Sequence, residues 1–179
     1  MDFTASALAL VGESGVECKQ CGKRWGKVLI KCGKEQMFIG EYTHNIDDKG
    51  RLAIPSKFRT KLGRGAVITK GLDGCLWLYP MDSWKKIAPK LAKLSPTQGR
   101  NRAFARLMLA GAMDVAMDKQ GRVNLPVYLR QYAALKGGVV LAGLFDRIEV
   151  WDEKAWQSYR NKTEKASDEI AEQISDLGI

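Results

Sequence analysis

Two stretches of the chain repeat one arrangement of ionisable and turn-forming residues. Asp47-Asp48-Lys49-Gly50-Arg51 recurs as Asp118-Lys119-Gln120-Gly121-Arg122, and Pro55 recurs as Pro126, all 71 residues apart. A carboxylate four residues before an arginine, with glycine between them, suits a tight turn. The carboxylate accepts backbone N–H groups and pairs with the guanidinium, and glycine supplies a positive φ. Asp47, Gly50, Asp118, Gly121 and Arg122 are therefore assigned to structuring the turns. The same kind of arginine is also a planar fork able to grip guanine O6 and N7, or a phosphate. Arg51, with Lys49, Lys57 and Arg59, is the candidate DNA contact, and Lys61 is also close enough in sequence to share that surface. Around the second turn the set is thinner (Lys119, Asn124 and Arg130), so the first copy is expected to read DNA and the second to support the fold.

Other chemistry is poorly served. The single histidine, His44, is not duplicated by the repeat, and no Gly-x-Ser-x-Gly, phosphate-binding loop or dinucleotide fingerprint occurs. The repeated carboxylates sit beside cations, which lower a carboxyl pKa and disfavour general-acid work. No catalytic residue, enzyme activity or cofactor is expected. Cys18-x-x-Cys21 with Cys32, and His44 as fourth donor, has the spacing of a Cys3His zinc site. A second close pair and the apolar residues that pack around such a metal are missing, so no metal site is expected. Cys75, inside the apolar run Cys-Leu-Trp-Leu-Tyr, reads as a small core residue.

The elements that must position the turns repeat as well. A short strand (Tyr42 to Ile46; Val115 to Met117) enters each turn, and a second (Arg51 to Ile54; Arg122 to Leu125) leaves it. Proline then ends the strand and starts a short helix, Pro55 to Leu62 or Pro126 to Tyr132. An apolar hairpin follows: Ala66 to Thr69 with Cys75 to Tyr79 in the first copy, Gly138 to Leu144 with Ile148 to Trp151 in the second. After each hairpin a helix is expected to begin at an acidic cap, Asp82 or Asp152, with Trp84 or Trp156 seating it on its own sheet. Ser95 to Gly99 breaks the helical run, and Asn101 to Gly111 has helical spacing. Each unit of ~45 residues is marginal alone, so the two are expected to share one core about a pseudo-twofold axis. Ile170, Ile174 and Leu177 place a packed or fraying helix in the tail.

Composition supports a polyanionic partner. The 179 residues carry 29 Lys and Arg against 20 Asp and Glu, a net charge of +9. Residues 37–151 hold +10 of this, whereas 152–179 hold −3. A concentrated basic excess favours nucleic acid. No apolar run approaches the ~18 residues of a membrane span. Ala5 to Val11 lacks the basic lead and cleavage site of a secretory signal, so a cytoplasmic protein without membrane association is expected.

Met37-Phe38-Ile39-Gly40-Glu41-Tyr42, leading into Asp47 to Pro55 with the second Asp118-x-x-x-Arg122, resembles the bacterial MraZ family, and the likeness runs to beyond Trp156. It implies an α+β fold of two tandem SpoVT/AbrB-like modules with swapped β-hairpins. It further implies a ring-shaped homo-oligomer and a nucleoid-associated transcription regulator. The implied partner is double-stranded DNA bearing G-rich direct repeats, in the promoter of its own division and cell-wall gene cluster. An RNA-binding or protein-interaction module using the same basic face is the alternative. The expected organisation is a first module over 41–84, a helical connector over 85–112, a second module over 113–156 and a helical tail over 157–179.

Residues 1–36 precede the likeness and are expected to be an added segment, non-native or disordered. Either they are an extra segment or the start codon is mistaken. Trp25-Gly26 and Cys21-Gly22 can be encoded so that two TGGG elements fall ~10 nucleotides apart, about one turn of B-DNA. On that reading the segment is the regulator's own operator, read through as protein.

Overall fold

The computed structural model describes residues 37–63 and 65–173, together with the backbone of β1 (Val16–Glu17) and β2 (Arg24–Trp25). The chain divides into two units, Met1–Glu35 and Gln36–Ile179, and β1 pairs antiparallel with β2 inside the first. Cys18, Cys21 and Cys32, on which the zinc reading rests, lie outside the described residues, as do Ile174 and Leu177.

The second unit holds two copies of one element sequence. The first is β3 (Phe38–Asn45), β4 (Arg51–Ala53), α1 (Ser56–Leu62), β5 (Gly65–Lys70), β6 (Leu76–Pro80) and α2 (Met81–Ala92). The second is β7 (Met113–Ala116), β8 (Arg122–Asn124), α4 (Val127–Tyr132), β9 (Gly138–Phe145), β10 (Arg147–Asp152) and α5 (Glu153–Lys165). Helix α3 (Gly99–Ala105) and a π-helical turn, Arg106–Ala110, join them, and α6 (Ser167–Gln173) follows. The fold is thus α+β, with antiparallel pairing throughout.

Strand order in the six-stranded sheet is β3-β9-β10-β6-β5-β7. Each copy keeps its apolar hairpin together but sends its opening strand to the other half: β3 pairs with β9, and β7 with β5. The strands leaving the turns pair with each other, Arg51 opposite Asn124, Leu52 opposite Val123 and Ala53 opposite Arg122. The copies therefore interlock. Swapping follows from burial, because a ~45-residue unit cannot cover its own sheet.

One cluster joins the halves. Leu52, Ile54, Phe58, Val123, Leu125 and Leu129, from the β4–β8 layer with α1 and α4, pack on Ile68, Leu76, Leu78, Leu141, Ile148 and Val150 of the large sheet. Phe58 is fully buried, with edge-on contacts to Phe38 at 5.5 Å and Tyr42 at 5.0 Å between ring centroids. Burial of such a side chain contributes about 1.5–3 kcal/mol. Strand residues alternate sides, so Trp77, Tyr79, Glu149 and Trp151 face away from this cluster. Against that second face lie Trp84 of α2, on Tyr79, and Trp156 of α5, on Trp151.

Several local expectations are corrected. Helix α2 has no side-chain cap: Pro80 occupies the N-cap and Asp82 sits within the first turn, whereas Asp152 does cap α5 through the N–H groups of Lys154 and Ala155. The segment after Gly99 turns π-helical at Arg106. In the described tail α6 buries none of its residues, so it is a helix without packing. Strand β3 begins at Phe38, well before Tyr42, because the long β9 gives those residues backbone partners.

Candidate nucleic-acid interface

Each repeated turn closes around its aspartate. In the first, Asp47 Oδ1 accepts from the N–H groups of Lys49 at 3.0 Å and Arg51 at 2.9 Å. Its Oδ2 accepts from Arg51 Nε and Nη2, both at 2.7 Å. In the second, Asp118 Oδ1 accepts from Gln120 and Arg122 N–H groups at 2.9 Å, and Oδ2 from Arg122 Nε at 2.9 Å and Nη2 at 2.8 Å. Gly50 and Gly121 both adopt φ +77°, the left-handed conformation glycine takes most readily.

The turns are also tied crosswise. Ile54 N–H donates to Gly121 O, and Leu125 N–H to Gly50 O, each at 2.9 Å. Arg59 Nε donates to Ile54 O at 2.6 Å, and its guanidinium lies over Gly121. Arg130 mirrors it, donating to Leu125 O at 3.1 Å and lying over Gly50. A Cβ on Gly50 would stand 2.9 Å from Arg130 Cζ. Arg122 Nη1 further reaches Asp47 Oδ2 at 3.9 Å, so the two carboxylate–guanidinium pairs meet. Arg130 thus packs against the turn of the other copy, a contact its own segment does not reveal. The signal was present, since the 71-residue spacing carries Arg59 onto Arg130.

Of the four candidate contacts, Lys49 and Lys57 are exposed and make no ion pair among the described residues. Arg51 and Arg59 are half-buried and partly committed, Arg51 to Asp47 and Arg59 to the Ile54 carbonyl. Lys61, nearby in sequence, is turned away onto the Met37 carbonyl. Lys119 and Asn124 are exposed on the second turn and strand. The surface therefore combines fixed guanidinium groups with free lysines. No group of three or more metal-ligating side chains occurs among the described residues, and Cys75 is buried, its thiol pushed up to about 12 by that burial.

Both turn carboxyls are held below the usual carboxylate range. For Asp47 the main cause is the hydrogen bond from the Arg51 side chain, then the Arg51 N–H; for Asp118 it is the Arg122 N–H. A carboxyl with a lowered folded pKa contributes stability that is complete above its unfolded value, ~3.9, and is lost as pH falls through the folded value. Thermal melts should therefore show no loss from these groups between pH 7 and 5, and a loss below about pH 4. The double variant Asp47→Asn, Asp118→Asn should have a lower melting temperature at pH 7 and a shallower acid limb. Parallel acid limbs for parent and variant would refute the assignment.

A family model described as "MraZ protein, putative antitoxin-like" matches twice, over residues 37–107 and 108–177. The chain belongs to the MraZ family. Among the family's curated members, "Transcriptional regulator MraZ" of Halothermothrix orenii is 48% identical over 143 residues, which is 80% of this chain and all of that protein. The proteins of the same description from Desulfitobacterium hafniense and Natranaerobius thermophilus are 47% and 45% identical over the same lengths. The two family matches divide the chain between Leu107 and Met108, inside the π-helical turn that leads into the second copy.

Proposed function

We propose that this chain is a DNA-binding transcriptional regulator that works as a ring-shaped homo-oligomer. It reads short G-rich direct repeats ahead of its own division and cell-wall gene cluster, in the cytoplasm at the nucleoid. The reading is carried by one observation: two interlocked turns hold guanidinium groups in fixed positions beside exposed lysines. Family membership and the relatives' description as transcriptional regulators agree with it. No helix among the described residues is long and apolar enough to cross a membrane.

The division of labour follows the repeat. The first module, over 41–84, supplies the reader through Arg51, with Lys49, Lys57 and Arg59 around it. The second, over 113–156, braces the turn through Arg122 and Arg130, and 85–112 connects the two. Fixing a side chain before binding lowers the ordering cost of recognition, and a ring presents one reader to several repeats, so that weak contacts add as avidity.

The test is a footprint and gel shift on the DNA encoding residues 18–37. Protection of G-rich repeats about one helical turn apart is expected; indifference to that DNA, or preference for single-stranded RNA, would overturn the reading. The variant Lys49→Ala, Lys57→Ala should weaken binding to all sequences alike. It should also make log K fall less steeply with log salt, by up to ~0.9 in slope for each phosphate no longer neutralised. An unchanged salt slope would remove the two lysines from the interface.

A further inference from the structure

The two copies carry helical appendages at equivalent places, and these are opposite in charge. Residues 81–112, with α2, α3 and the π-helical turn, hold seven Lys and Arg against the single acid Asp82. Six of those cations, Lys85, Lys86, Lys90, Lys93, Arg100 and Arg106, are exposed and make no ion pair among the described residues. Residues 152–173, with α5 and α6, hold six acids against four cations, and α6 itself carries Asp168, Glu169 and Glu172 with no cation. Arg160 of α5 is already engaged by Glu41 and Glu164, each at 3.6 Å.

Both appendages lie on the sheet face opposite the β4–β8 ladder. Trp84 and Trp156 seat α2 and α5 there, and Thr69, paired across the sheet with Trp77, donates to the Met108 carbonyl of the π-helical turn at 2.6 Å. The cations are thus set apart from the repeated turns by the thickness of the sheet. Beside α5 the same face opens into a groove of about 670 Å³, lined by Trp77, Leu144, Trp151, Trp156 and Tyr159. Glu41, Asp73 and Glu149 also line it, against Arg147 alone among cations. The buried indole N–H of Trp156 has no acceptor among the described residues, and buried donors are ordinarily satisfied.

We infer that the cationic α2–α3 hairpin of one copy docks on the acidic α5–α6 face and adjoining aromatic groove of the next. The inference rests on the homo-oligomer reading above and names the surfaces that meet. The occupant is a second copy because this chain itself carries the complementary charge on an equivalent but separate place. Like meeting like would repel on either appendage, so a self-complementary contact is disfavoured. The contact is then head-to-tail, the kind that closes rings or extends filaments.

The test uses two full-length charge reversals. One is Lys85→Glu, Lys86→Glu, Lys90→Glu; the other is Glu164→Lys, Asp168→Lys, Glu169→Lys, Glu172→Lys. Light scattering at micromolar concentration should find the parent assembled and each variant alone dissociated. Their equimolar mixture should reassemble, since every junction in an alternating array is complementary. Should a variant fail to fold by circular dichroism, salt titration of the parent decides: dissociation between ~0.1 and ~1 M salt is expected, where the screening length falls from ~10 to ~3 Å. Assembly of the folded variants like the parent, or a salt-indifferent parent, would overturn the contact while leaving the homo-oligomer reading standing. A parent that is monomeric throughout would overturn that reading too. If the lysine reversal leaves assembly intact and instead lowers DNA affinity and its salt slope, the hairpin serves DNA and the inference is wrong.

Discussion

Replacing Arg51 by alanine should lower affinity for the repeat DNA by roughly 10- to 100-fold per reading unit, the loss expected when a bidentate base contact worth about 1–3 kcal/mol is removed. Binding to unrelated DNA should fall far less, so the ratio of specific to non-specific affinity is the quantity to measure. The structure explains why the loss can be separated from folding. Asp47 Oδ1 still accepts from the Lys49 and Arg51 N–H groups when the guanidinium is gone, so the turn persists. The ion pair itself is part-exposed, and such pairs add little to stability. Arg51 Nη1 is uncommitted among the described residues, which leaves one edge of the fork for a base. Arg122→Ala provides the contrast: it removes the equivalent pair from the bracing copy and should cost much less specific affinity. Equal binding by Arg51→Ala and the parent would remove the first turn from recognition.

The repeat makes most of this legible in the residues alone. Aspartate, glycine, arginine and proline at fixed spacing name the turn, the strand leaving it and the helix after it, because each type has a narrow backbone or bonding role. The shared core follows from the size of a unit. Harder to see is which groups the turns use up. Lys49 and Arg59 look alike in a charge count, yet Lys49 is free while Arg59 is spread over Gly121 and bonded to Ile54. That difference depends on two segments 71 residues apart meeting face to face, which local sequence does not encode. Charge counting also takes the basic middle of the chain as one surface. The fold divides it, placing Lys85 to Arg106 on the far side of the sheet from the turns. Tail residues such as Ile170 have the right period for burial but no neighbour to bury them, and period reports an available face rather than an occupied one.

The largest loss of stability is expected at Gly121→Val, a turn position that the Arg59 side chain buries. Gly121 has φ +77°, where a β-branched residue is strained by about 1–3 kcal/mol. The new side chain would also collide with Arg59 Nε and Cζ, displacing a guanidinium whose hydrogen bond to the Ile54 carbonyl is worth about 0.5–1.5 kcal/mol, or more for a charged donor. The same glycine's carbonyl accepts from Ile54 N–H, so a shift of the turn would disturb the ladder that joins the copies. Together these put the loss at about 2–4 kcal/mol, measurable as a fall in denaturant midpoint at constant m. Gly74→Ala isolates the backbone part: φ is +78°, and nothing lies within 4 Å of its Cβ position. That control should cost about 1–2 kcal/mol from left-handed strain alone. If Gly121→Val cost no more than Gly74→Ala, the Arg59 clamp would have no part in holding the two copies together.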